Sequence, residues 1–245
     1  MNGCNVGVEL EVENYHGYDA PVAWKVVGEA MLLNGAEFVL RKPLSGDKLV
    51  AAVTGLCKGL TTETFTQRCS THIHIDVREL NHLERMKFIT AYVIFEPLLL
   101  SLIDPDRVGN VFCLPVSHSV GLEEALIKLS QNKIEFEDIG LGGYKYGAMN
   151  IASVNNLGSL EFRALHGTGD AKEILNWVEL HTLIKKYAMS YEGSPADMLT
   201  DVSAKGCVGF AEEVFGDLTK QFRDIDWLVY SGVRSAQYFA FTGDW

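Results

Sequence analysis

Near its start the chain reads GVELEVEN, with Glu9, Glu11 and Glu13 interleaved with Val8, Leu10 and Val12. A strand sends successive side chains to opposite faces, so the pattern predicts one aliphatic face and one face of carboxylates. The same alternation recurs downstream. AEFVLRK (36–42) sets Glu37, Val39 and Arg41 against Phe38 and Leu40, and RCSTHIHIDV (68–77) sets His72, His74 and Asp76 against Ile73, Ile75 and Val77. GSLEFRAL (158–165) sets Glu161 and Arg163 against Leu160 and Phe162. Taken singly these are ordinary: an acidic strand face is commonly solvated, and a lone EFR is usually a cross-strand ion pair. Taken together they are narrow in chemistry. Four strands offer Glu, His, Asp and Arg where a merely wet face would use Lys, Thr, Ser and Gln freely. Carboxylates converging at 4 Å repel by about 4 kcal/mol per pair at an effective dielectric of about 20. They persist together only by sharing protons, by pairing with arginine or around divalent cations. Oxygen donors with imidazole suit Mg2+ or Mn2+, and no cysteine is placed to complete a zinc site.

The elements that must position these groups follow from periodicity. A further strand is expected in YGAMNIAS (146–153). Asn81, with Glu84 three residues on, forms a capping-box signature for a helix running toward 103, which Pro97 should kink or divide. A short helix is expected near 121–131. Another starts at Asp170, again with an acid (Glu173) three residues on, and carries Ile174, Trp177, Val178, His181, Ile184 and Ala188 at helical spacing. Two more helices are expected around 207–222 and 227–240. Strands with one apolar and one polar face suit an α+β fold, in which helices cover the apolar face of a mostly antiparallel sheet. No repeat or linker interrupts the 245 residues, so the chain reads as one catalytic domain over 1–245 with a helical C-terminal part from about 195.

Composition excludes several classes. The net charge is −11 without a Lys/Arg cluster, so nucleic acid is not an expected partner. Five scattered cysteines without a CxxC pair support neither zinc ribbon nor redox motif, and they fit a reducing cytoplasm. No signal peptide is expected. The longest apolar run, FITAYVIFEPLLLSLI (88–103), is broken by Glu96 and Pro97 and falls short of the ~20 residues a bilayer needs, so no membrane span is expected. Neither GxxxxGK[ST] nor a GxGxxG between strand and helix occurs. GLGGYKYG (140–147) is either a flexible loop presenting Lys145 or a plain connector. DPDR (104–107) either brings Arg107 to a phosphate or leaves it exposed. His181 reads as a core histidine, His166 as a strand end, and Trp24, Trp177 and Trp227 as packing residues.

In order along the chain, GVELEVE, WKVVGEAMLLNGAEFVLRKPLSG, THIHIDV, KYGAMN and LEFRALHGTGDAKEILNWVEL resemble segments of the amidoligase family, over about residues 5 to 185. That family belongs with the carboxylate–amine ligases related to glutamine synthetase and glutamate–cysteine ligase. The resemblance implies a curved antiparallel sheet as the active-site floor, of the glutamine synthetase/guanido kinase kind, and ATP with Mg2+ or Mn2+ as cofactors. It implies metal ligation by Glu9, Glu11, Glu37, His72 and Glu161, with Glu29 helping to hold the metal near the amine and acyl group. It places His74, Lys145 and Asn150 near the phosphates or substrate, and Arg163 on the transferring phosphoryl group. On the first reading of DPDR, independent of the resemblance, Arg107 would add a phosphate contact. The chain departs from the family where many members read DGSL and it reads EAML (29–32), which puts the ligand role of Glu29 in question.

The implied reaction phosphorylates a carboxylate from ATP and lets an amine attack the acyl phosphate. Spare carboxylates such as Glu29 or Asp76 would take the proton from the attacking ammonium. The carboxylate and amine partners are small molecules or peptides, and a homo-oligomer is compatible because glutamine synthetase relatives assemble their sites between subunits. Glu13 is left to bind the amine or face solvent. Two other readings compete: a cupin-like enzyme holding one metal with HxH plus a downstream Glu, and a non-catalytic nucleotide- or ligand-binding relative.

Overall fold

In β1 (Val6–Val12) the alternation holds: Val6, Val8, Leu10 and Val12 are buried, while Glu9 and Glu11 are partly open. The computed structural model describes residues 3–15, 20–60, 64–111, 113–140 and 146–245. With β2 (Trp24–Glu29), β3 (Gly35–Leu40), β4 (Thr71–Asp76), β5 (Met149–Asn150) and β6 (Ser159–Phe162), β1 forms a six-stranded sheet in the order β2-β3-β1-β4-β6-β5. Every strand pairing in it is antiparallel. The end strands β2 and β5 do not pair, so the sheet is open, unlike the closed barrel that a cupin reading requires.

β2 and α1 were not anticipated. β2, in WKVVGE, shows a mostly exposed pattern without clean alternation, as an edge strand can. Helix α1 (Gly46–Cys57) follows β3, and the Trp24 indole ties the two elements by donating to Ala52 O at 3.1 Å. The strand expected over 146–153 shrinks to the two residues of β5, because the chain turns at once into the short helix α4 (Ser153–Leu157).

Helix α2 (His82–Leu100) carries the expected capping box: the Asn81 side chain accepts from Glu84 N, and Glu84 accepts from Asn81 N. Pro97 does not divide it; it falls in the last turn, where little helix remains to disrupt. α3 (Val120–Ser130) lies where expected. At α5 (Ala171–Ser190), Asp170 caps by accepting from Lys172 N at 2.8 Å. No second capping-box bond forms there; Glu173 instead lies 3.3 Å from His166. Three helices follow instead of two: α6 (Pro195–Lys205), α7 (Cys207–Phe215) and α8 (Ile225–Ala240). The expected 207–222 helix stops at Phe215 because Gly216 turns with φ +54°, a conformation that ends a right-handed helix. No helix among the described residues is long and apolar enough to cross a membrane.

The core lies between the apolar sheet face and the helices. Phe162 of β6 packs against Phe88 and Tyr92 of α2 and His181 of α5, at ring-centroid distances of 5.9, 4.7 and 4.4 Å. α8 crosses α2 so closely at Gly232 that a Cβ there would lie 2.0 Å from Ile94 O; only glycine fits. His181 is fully buried, its Nδ1 2.8 Å from Trp177 O, and burial lowers its pKa to about 4. Trp24 and Trp177 are buried as expected, but Trp227 is 70% exposed on α8.

Glu96, the charge inside the apolar run, is buried at 2% exposure and ties α2 to the next loop by accepting from Val116 N at 2.8 Å and from Tyr92 Oη at 3.1 Å. Burial pushes its carboxyl up to about 7 against those two hydrogen bonds, which favour the ionised form. The native state therefore holds a proton that the unfolded chain releases near the ordinary value of 4.5. Stability from this group is full below that value and is lost as pH rises through about 7, by about 3 kcal/mol in total. Glutamine mimics the protonated acid. Glu96→Gln is expected to gain stability relative to the parent at pH 8 but not at pH 4.5, read from thermal melts at both; a difference independent of pH would refute this.

Candidate active site

Cross-strand register brings the polar residues together. Glu9 lies opposite His72 on β4 and Val39 on β3, Glu11 lies opposite Glu37, and His74 lies opposite Glu161. His74 is also opposite Gly7, whose missing side chain leaves space for the imidazole: a Cβ at Gly7 would approach His74 Cβ to 3.2 Å. His72 and His74 are buried, yet each keeps contact with the acids. Glu9 is the hub, with Oε2 3.3 Å from His72 Nδ1 and Oε1 3.2 Å from His74 Nε2. His72 Nδ1 is also 3.6 Å from Glu161 Oε1. Arg163 donates through Nη1 to Glu161 Oε1.

Two groups of donors have the spacing to hold an ion: Glu9 with His74 and Glu161, and Glu9 with Glu37 and His72, the ligand atoms of each lying within 4.8 Å of one another. Three observations favour cations there. His74 Nε2 is buried without a hydrogen-bond partner; its approach to Glu9 has ion-pair distance but not hydrogen-bond direction. Burial, then the charges of Glu9, Glu11 and Glu29, push Glu37 up to about 9, so this acid cannot ionise freely beside its neighbours without a cation. The donors are mainly carboxylate oxygens with imidazole, a set that suits Mg2+ or Mn2+. Burial alone would raise Glu9 and Glu161 and lower His74. The imidazole–carboxylate contacts, and Arg163 beside Glu161, outweigh it: Glu9 and Glu161 lie below, and His74 above, their ordinary values.

Other expected site residues have the following surroundings. His74, expected near the phosphates, belongs to one of the two donor groups. Glu11 is in neither; its Oε2 accepts from Ser70 N at 2.8 Å and from Ser70 Oγ. Asn150 spends its amide on the protein, donating to Glu161 Oε2 at 2.7 Å, beside Ser153 Oγ at 2.8 Å from the same oxygen, so it orients Glu161. Glu29 lies at the end of β2, where Oε1 accepts from Met31 N at 2.8 Å. Asp76 is held by Arg78 at 2.6 Å, and that pairing keeps its carboxyl below the usual range, which makes it a poor base. Arg107 is not exposed: it is 4% exposed and donates to Arg163 O at 3.0 Å. Lys145 lies outside the described residues.

Glu13 does not face solvent. It is 3% exposed and accepts from Leu33 N at 2.8 Å, Thr66 Oγ1 at 2.9 Å and Arg68, locking two loops to the end of β1. Removing it takes the buried carboxylate acceptor from three loop donors, and a hydrogen bond to a charged group is worth roughly 1.5–3 kcal/mol. Glu13→Ala is expected to lose about 2–4 kcal/mol in chemical denaturation; a loss under about 0.5 kcal/mol, the ordinary surface value, would contradict the assignment. Arg68, Ser70, Ser153 and Ser159 were missed as site residues. Ser70 and Ser159 carry a legible signal, since each lies two residues before a site residue on the same strand face. Ser159 Oγ is 3.1 Å from His74 Nδ1.

Two cavities flank the cluster. One, of about 310 Å3, is lined by Lys25, Arg41, Lys42 and Arg78 together with Glu9, His74 and Ser159. The other, of about 290 Å3, is lined by Arg68, Arg107 and Arg163 with Glu11, Glu29 and Ser70. Carboxylates and imidazoles thus lie between two hollows rich in cationic side chains.

A family model described as "putative amidoligase enzyme" matches residues 48–184, more than half of the chain. The chain belongs to the amidoligase family. The matched part of this amidoligase contains His72, His74, Glu161 and Arg163. Glu9, Glu11, Glu29 and Glu37 lie outside it and reach the site through β1, β2 and β3. No curated protein matches the chain.

Proposed function

We propose that this amidoligase is an ATP-dependent carboxylate–amine ligase with a glutamine synthetase-like catalytic domain spanning residues 1–245. It works through an acyl phosphate, with Mg2+ or Mn2+ on the sheet, in the cytoplasm, where its five free cysteines stay reduced. The observation that carries the reading is Glu9, shared by two donor groups on a floor between two cationic hollows.

Glu9, His74 and Glu161 would hold one ion, and Glu9, Glu37 and His72 another. Such ions, when bound, would supply positive charge to offset that of the phosphates. Lys25, Arg41, Lys42 and Arg78 suit the polyphosphate. An acid oxygen attacks the γ-phosphorus, the bond to the β-phosphate oxygen breaks, and ADP leaves. Arg163 is placed to offset charge on the transferring group. The neutral amine then attacks the acyl carbon, the carbon–oxygen bond to phosphate breaks, and inorganic phosphate departs. Glu29 takes one ammonium proton, and the departing phosphate takes the second.

The test is calorimetric titration with ATP in the presence of Mg2+ or Mn2+, followed by a screen of carboxylate–amine pairs for ADP release. Metal-dependent ATP binding is the expected result; absence of binding with every divalent ion would sink the ligase reading.

A further inference from the structure

We infer that the amine substrate is a free α-amino acid, held by its carboxylate between Arg107 and Arg68 with its ammonium group toward Glu29 and Glu11; this rests on the ligase reading above. The cavity of about 290 Å3 beside the cluster has three guanidinium groups and two carboxylates in its wall. Arg107 is 4% exposed. It makes a hydrogen bond to Arg163 O, its Nε is buried without a partner, and no carboxylate lies within ion-pair distance among the described residues. A buried guanidinium in this state calls for an anion, because an uncompensated buried charge is strongly unfavourable. Arg163 Nε is likewise buried without a partner. Arg68 is half-exposed, and Glu13 fixes its Nε and Nη2.

Glu11 and Glu29 in the same wall supply the opposite charge. A zwitterion satisfies both sets at once. Ammonia offers nothing to the guanidinium groups, and a polyamine is repelled by them. At this volume the cavity sits at the small end of ligand sites, which favours a free amino acid over a protein side chain with its backbone. In the reaction the ammonium gives one proton to Glu29, the nitrogen lone pair bonds to the acyl carbon, the carbon–oxygen bond to phosphate breaks, and the departing phosphate takes the second proton from nitrogen. The amide product keeps the amino acid's carboxylate.

The experiment is calorimetric titration of the full chain with each of the twenty L-amino acids and with carboxylate-free twins, among them ethylamine for alanine and cadaverine for lysine, with and without Mg·ADP. At least one amino acid is expected to bind, at least tenfold tighter than its twin. Arg107→Met and Arg68→Met should each remove that preference. Arg107→Gln, which removes the charge but keeps a donor for Arg163 O, keeps the test readable if a Met variant does not fold. Absence of amino-acid binding in both conditions, twins that bind equally well, or a preference that survives Arg68→Met would overturn the inference. The arm without nucleotide reads the cavity independently of ATP binding, so failure here and failure of the ligase reading are separable.

Discussion

Glu9→Gln is expected to abolish Mn2+ binding at both donor groups and to stop turnover, with the fold retained. Glu9 is the one residue common to both groups, and its two oxygens face different histidines. Glutamine keeps the shape but withdraws one anionic donor from each ion. The loss should exceed the 10–100-fold that even an outer partner of a metal site is worth. Glu37→Gln should weaken only the site shared with His72. Electron paramagnetic resonance titration of Mn2+ measures both variants. If Glu9→Gln still binds two ions with unchanged affinity, the shared-ligand arrangement is wrong.

Arg163→Ala is expected to lower kcat by about 10^3-fold while moving the KM for ATP little, because an arginine on a transferring phosphoryl group acts chiefly in the transition state. Lysine should rescue poorly, since it lacks the planar fork of donors. Folding should survive: Arg163 is on the open side of the cluster, and Glu161 keeps Asn150 and Ser153. Glu161→Ala is the poorer test, because it strands those two buried donors and destabilises the fold. Glu161→Gln removes the charge while keeping an acceptor. Steady-state kinetics beside thermal melts separate the roles; an Arg163→Ala protein that unfolds, or one that loses less than tenfold in kcat, contradicts the assignment.

Much of this was legible before any coordinates. Val6, Val8, Leu10 and Val12 fall on the buried face because alternation is local and apolar area drives it inward. The Asn81–Glu84 capping box formed as its spacing specifies. What escaped was non-periodic or partner-dependent. β2 lacks alternation because an edge strand needs none. Arg68 sits in a loop with no local signal, and Glu13 owes its burial to Leu33, Thr66 and Arg68, distant in sequence. Trp227 reads as a packing residue by type, yet it lies on the outer face of α8.

The division has one physical cause. A period of two settles which face a side chain takes, so the sequence alone put Glu9, Glu11, Glu37, His72, His74, Glu161 and Arg163 on one side of the sheet. It could not settle lateral neighbours. A slip of one residue flips every side chain to the other face, but a slip of two leaves each face intact and changes every partner. Only the tertiary pairing of β1 with β4 set Glu9 between two histidines, turned Glu11 toward Ser70 and buried Glu13 beneath Arg68.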